Sequence, residues 1–212
     1  MAYSVEQFFE ALASAIRSSD PFIVALHRMI DWCSEYCPHS DWEVIEKLDF
    51  SKDPKGAKAW FVQLVDQQPC PFEVQGIYFG LAERGTASGE EYAQLYGSFL
   101  GQYDGDGDPT QWLFGDKKHY PENEPLKVAN LKRACLRFNR ANGRGVGSDG
   151  YYLFGLAYAT LLVKEFLTPA CYARLATKTD AVGIFVGWDC GDTVRCGELT
   201  SAGFQPQLGR MI

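Results

Sequence analysis

The chain has 212 residues, 46% of them hydrophobic, with 20 Lys and Arg against 27 Asp and Glu for a formal charge of −7. That much apolar material excludes a chain disordered throughout, and a pI near 5.0 argues against a nonspecific nucleic-acid binder. The longest apolar run, Tyr151–Val163, falls well short of the roughly 20 residues that a helix needs to cross a bilayer, so no membrane partner is expected.

The first residues, MAYSVEQFFEALASAIRSS, contain Glu6 and Glu10 and lack a basic n-region, so they read as a mature helix instead of a secretory leader. Ser4-Val5-Glu6-Gln7 has capping-box spacing, and Val5, Phe8, Phe9, Leu12 and Ile16 recur on one side, which predicts a helix over 5–18. Asp20-Pro21 predicts a second helix with Asp20 as N-cap and Pro21 at its first position; Leu26, Ile30, Cys33 and Cys37 share a face up to Pro38. Asp53-Pro54 repeats the device, and Ala57, Trp60, Phe61 and Leu64 mark a third helix that stops before Pro69. Residues 1–70 are therefore expected to be helical.

Residues 71–212 are mixed. EVQGIYFGLAER and EYAQLYGSFLGQY alternate around the turn-forming stretch Gly85–Gly89 and predict an antiparallel hairpin. Pro125 opens a helical pattern in which Val128, Leu131, Cys135 and Phe138 face inward until Asn142-Gly143. Tyr151–Leu167 is apolar almost all round and reads as a central buried helix, and Thr168-Pro169 starts a short one. AVGIFVGW and TVRCGELT flank the turn Asp189-Cys190-Gly191-Asp192 and predict a second hairpin. Paired hairpins separated by about five helices, without regular strand–helix alternation, point to a single α+β domain.

Charge is unevenly placed. Residues 1–126 hold 9 Lys and Arg against 21 Asp and Glu, net −12, whereas 127–212 hold 11 against 6, net +5. The two parts are expected to attract each other within one fold. The densest acidic stretch is Gly101–Pro125, where Asp104, Asp106, Asp108, Asp116, Glu122 and Glu124 oppose only Lys117 and Lys118, among Tyr103, Trp112, Phe114 and Tyr120. Aromatic anchors with steering carboxylates are the chemistry of a specific protein interface. The expected partner-binding residues are Asp104, Asp106, Asp108, Trp112, Phe114, Asp116 and Tyr120, with Trp188, Asp189 and Asp192 at the last turn.

Other motifs carry less. Asp104–Gly115 fails the calcium-loop template, with Pro109 at position six and Gly115 at position twelve. Cys33, Cys37 and His39 lack a complementary ligand pair for zinc, and Cys33 and Cys37 read as buried structural thiols. Seven cysteines form no disulfide framework, Cys190 and Cys196 included, which suits a reducing cytoplasm. None of His27, His39 and His119 stands in a nucleophile context with a cysteine. Gly145–Gly150 matches GxGxxG but follows a helix instead of a strand, so it reads as a connection. No catalytic residue, metal site or cofactor is expected. Arg133, Arg137, Arg140 and Arg144 form a guanidinium stripe with Lys127 and Lys132 nearby, and this is the rival signal.

Gly76–Leu81, Gln111–Asp116 and Val186–Asp189 share Gly-aromatic runs leading into acidic turns. In this general character, an acidic, aromatic-rich α+β chain without a catalytic motif, the protein resembles the cytoplasmic immunity proteins that bacteria pair with polymorphic or contact-dependent toxins. The resemblance transfers no site residues; it implies a non-catalytic protein that occludes a cognate protein toxin, often nuclease or NAD-directed, without turnover. Two alternatives stay open: a hydrolase or transferase with dispersed carboxylates, and an RNA- or nucleotide-binding module using the 133–144 arginine stripe.

Overall fold

The computed structural model describes residues 4–67, 69–87, 89–102, 117–122, 124–139, 148–175, 177–189 and 193–207. In chain order its elements are α1 (Val5–Arg17), α2 (Phe22–Tyr36), α3 (Asp41–Ile45), α4 (Asp53–Gln67), β1 (Gly76–Gly85), β2 (Glu91–Leu100), β3 (Lys118–His119), α5 (Ala129–Phe138), α6 (Ser148–Phe166), α7 (Pro169–Tyr172), β4 (Ala181–Trp188), β5 (Thr193–Thr200) and β6 (Gly203–Pro206). The short elements α3, β3 and β6 have no counterpart among the expected ones.

Local chemistry sets the helix ends. At α1 the Ser4 hydroxyl accepts the Gln7 N–H at 3.3 Å while Gln7 Oε1 accepts the Ser4 N–H at 3.0 Å, completing the capping box. At α2 the N-cap is Pro21, not Asp20. Asp20 instead accepts from Arg28 at 2.5 Å, and that hydrogen bond holds its carboxyl below the usual range. The capping role passes to a distant side chain: Glu165 of α6 accepts the Phe22 N–H at 3.1 Å. Its neighbour Lys164 donates to the carbonyls of Ala15 and Ser18, at 3.2 and 2.7 Å, where α1 ends. One turn of α6 thus serves the acceptors at one helix end and a donor at the next.

The strands form one mixed sheet in the order β3-β2-β1-β4-β5-β6. Both expected hairpins are present and antiparallel, but β1 runs parallel to β4, from Gly76 opposite Gly183 to Leu81 opposite Trp188. Parallel neighbours need a long crossover, and α5 to α7 lie within it. The fold is α+β.

Strand alternation turns Ile77, Phe79 and Leu81 of β1, Val182, Ile184 and Val186 of β4, and Val194, Cys196 and Leu199 of β5 into the main core, all fully buried. Against this face lies α6, which also contacts α1, α2, α4 and α5. A Cβ on Gly155 would sit 2.5 Å from the Trp188 ring, so glycine here lets α6 approach β4. Two polar ties fasten the helices. Asp53 accepts from Tyr158 at 2.6 Å and from Asn130 at 3.1 and 3.2 Å, linking α4, α5 and α6. Asp41, 1% exposed, pairs with Arg137 and joins α3 to α5. That pair and Asp66–Arg174 at 2.7 Å bridge the acidic and basic parts of the chain, as the charge asymmetry predicts.

Candidate interaction surface

The opposite face of the sheet is built from the other parity of each strand. The register places Tyr78 beside Ser98 and Phe185, Gly80 beside Tyr96 and Gly187, and Leu100 beside Gly76 and Lys118. Tyr78, Leu100 and Phe185 form a small buried cluster with Tyr96 packed on it. Ser98 is fully buried with its hydroxyl unpartnered. Thr193 and Arg195 continue this face on β5, where Arg195 donates to Glu198 at 2.9 Å and to Gln207 at 3.1 Å.

The aromatic side chains form a connected row. Tyr78 and Tyr96 meet edge to face with centroids 6.0 Å apart, and Tyr96 lies 6.3 Å from Tyr120, which is 54% exposed. Lys118 Nζ sits 5.0 Å from the Tyr78 centroid and 4.6 Å from that of Tyr120, within cation–π range. At the other end of the row the Tyr96 hydroxyl donates to Asp189 Oδ1 at 2.5 Å, and the Tyr78 hydroxyl donates to the Trp188 carbonyl at 3.3 Å. Tyr96 reaches Asp189 from β2 by crossing β1 at Gly80: a Cβ there would lie 2.2 Å from the ring. Burial first, then the Asp189 carboxylate, pushes the Tyr96 phenol well above its ordinary range; burial does the same to Tyr78.

Of the expected partner-binding residues, Tyr120 and Asp189 come to one face, joined through Tyr96, which sequence reasoning missed. The available signal was Gly80 inside the β1 run, since a glycine within a strand marks a close approach. Trp188 does not belong to the surface. It is 2% exposed, stacked 5.4 Å from Tyr152 and donating to the Tyr152 carbonyl at 3.2 Å, because strand parity turns it toward α6. Asp104, Asp106, Asp108, Trp112, Phe114, Asp116 and Asp192 lie outside the described residues. Next to β3, the Gly101 N–H donates to the Lys117 carbonyl at 2.9 Å.

The rival arginine stripe is partly absorbed by the fold. Helix α5 ends at Phe138 with Asn139 as C-cap, short of the expected Asn142; the Asn139 amide donates to the Glu91 carbonyl on β2 at 3.3 Å. Arg137 is committed to Asp41, Lys132 lies 4.2 Å from the Tyr92 ring, and Lys127 pairs with Glu124 at 2.5 Å, whereas Arg133 is exposed. Arg140 and Arg144 lie outside the described residues.

The six described cysteines are free, with Cys33, Cys135, Cys171 and Cys196 buried and Cys37 intermediate. Burial pushes the Cys135 and Cys196 thiols up to about 12, which suits packing and not nucleophilic chemistry. Among the described residues no group of three or more His, Cys, Asp or Glu is placed to hold a metal, and no helix is long and apolar enough to cross a membrane. No family model matches the chain, and no curated protein or solved structure matches it.

Proposed function

We propose that this protein binds another protein through the tyrosine face of its sheet and works as a non-catalytic, cytoplasmic immunity protein that neutralises a cognate toxin. The observation that carries the reading is the convergence of Tyr120 and Asp189 on one face, an exposed ring and an exposed carboxylate linked through Tyr96. The ring supplies an anchor, and Asp104, Asp106, Asp108 and Asp116, which precede Tyr120 in the sequence, supply the charge that steers a basic partner. A toxin that acts on nucleic acid or an anionic cofactor has a basic cleft, and such a surface occupies it without turnover.

The test is co-expression with the toxin encoded beside it, followed by measurement of complex stoichiometry and association rate. A stoichiometric complex is expected, and exchanging Asp104, Asp106 and Asp108 together for Asn should slow association by about tenfold at low salt and flatten its salt dependence. Absence of a stoichiometric complex, or unchanged kinetics in the triple variant, would overturn the reading.

A further inference from the structure

We infer that the segment Glu124–Val128 is an edge guard, a strap that covers the open side of β2 and keeps a second copy of this chain from adding its own β2 there. This guard is independent of the tyrosine face and of any partner bound there. Strand β3 pairs with β2 only at Phe99 and Leu100, so from Glu91 to Ser98 no strand of the described residues lies on that side. An edge strand turns the N–H and C=O of every second residue outward, where another chain can pair with them. Here those groups are met one at a time by something other than a strand. The Glu91 carbonyl accepts the Asn139 amide at 3.3 Å, the Ala93 N–H turns to the Cys135 sulfur, and the Leu95 carbonyl accepts the Leu126 N–H at 2.7 Å.

The residues of the strap and of the strand it covers fit this role. Strand β2, EYAQLYGSFL, has 10 residues with a single charge, no proline and rings at Tyr92, Tyr96 and Phe99, a composition that pairs readily with itself. In the strap, Pro125 has no N–H, so the isolated bridge between Leu126 and Leu95 cannot grow into a ladder that would offer a new edge. The strap is also fixed from outside the sheet: Trp60 of α4 donates its indole N–H to the Glu124 carbonyl at 3.2 Å, and the Leu126 side chain is buried. Lys127 and Lys132, both exposed, place charge beside the strand, with the Lys132 ammonium 4.2 Å from the Tyr92 ring. Lysines of this kind keep natural sheet edges from pairing. The opposite edge of the sheet needs less cover, since β6 has 4 residues and ends at Pro206.

Two variants open the edge by different routes. Leu126→Pro deletes the donor that ties the strap to β2, whereas Trp60→Phe combined with Asn139→Ala releases the strap at Glu124 and the end of α5 at Glu91. Self-association is read by sedimentation velocity over a concentration series, with thioflavin T fluorescence alongside. Each variant should associate about tenfold more tightly than the wild type, and adding Gln94→Lys, a charge within β2, should reverse the gain. Trp188→Ala, which weakens the core without touching this edge, should associate no more than the wild type well below its Tm. The assignment is overturned if both strap variants stay at the wild-type level while circular dichroism shows them folded, or if Trp188→Ala associates as strongly as they do at an equal folded fraction. Association that Gln94→Lys leaves unchanged would overturn it too, by placing the contact away from β2. Should Leu126→Pro fail to fold, the Trp60→Phe and Asn139→Ala combination decides alone.

Discussion

The two faces of the sheet use the same strands for different ends. Toward α6 the side chains are Ile77, Phe79, Leu81, Val182, Ile184 and Val186, all fully buried without a polar atom among them. On the other face Tyr78, Tyr96 and Lys118 bring two hydroxyls and a charge, and their partners are specific: the Trp188 carbonyl, the Asp189 carboxylate, two rings. The first face is held by area and shape, so any well-fitting apolar group serves it. The second is held by directed contacts that end at solvent, the arrangement from which recognition is built.

That contrast can be broken first at its apolar side. Trp188→Ala removes a buried ring from between Tyr151, Tyr152 and Gly155, and should cost about 3–5 kcal/mol in urea unfolding, against a change within about 0.5 kcal/mol for Tyr120→Ala. Equal costs would mean that Trp188 is not a core residue. Next comes Gly80→Ala on the directed side. The new methyl must displace the Tyr96 ring, so the Tyr96–Asp189 hydrogen bond should be lost at a cost of about 1–3 kcal/mol, visible as a shifted Tyr96 ring signal by NMR. An unmoved ring would show that β1 itself yields.

The smallest effect sharpens the comparison. Tyr96→Phe keeps the ring and removes one hydroxyl, for about 1 kcal/mol near neutral pH. Its pH dependence carries a sign. The folded-state phenol is raised above its unfolded value of about 10, so the folded protein binds the proton more tightly, and this contribution is whole below pH 10 and fades as pH rises beyond it. The wild type should therefore lose stability more steeply above pH 10 than Tyr96→Phe does. Parallel slopes would place Tyr96 in an ordinary, solvated setting.

Much of the fold is legible in the sequence wherever local chemistry decides. Ser4 and Gln7 announce α1, the prolines at 38 and 69 bound the helices before them, and Val128, Leu131, Cys135 and Phe138 mark the inward face of α5, each buried. The pairing of β1 with β4 is not legible, because no turn or cap signals a contact between strands so far apart in the chain, Tyr78 and Trp188 being separated by 110 positions. The candidate site divides in the same way. Tyr120 and Asp189 carry exposed chemistry that composition reveals, whereas Trp188 alternates with glycine and valine and nothing local says which parity meets the helices. Asp20 fails as a cap for a related reason: its competitor, Glu165, is supplied by a helix 143 residues beyond Phe22.

The Lys164–Glu165 pair has a consequence in time. The ends of α1 and α2 are fastened by groups that lie 149 and 143 positions later, so the ribosome releases both helices long before the side chains that finish them. While the nascent chain grows, the Ser18 carbonyl and the Phe22 N–H must stay in water, whereas the Ala15 carbonyl has the nearby Ser18 hydroxyl as a donor. The amino-terminal hairpin of helices therefore emerges first and is completed late. Amide exchange at Phe22 should report the docking of α6 instead of the formation of α2.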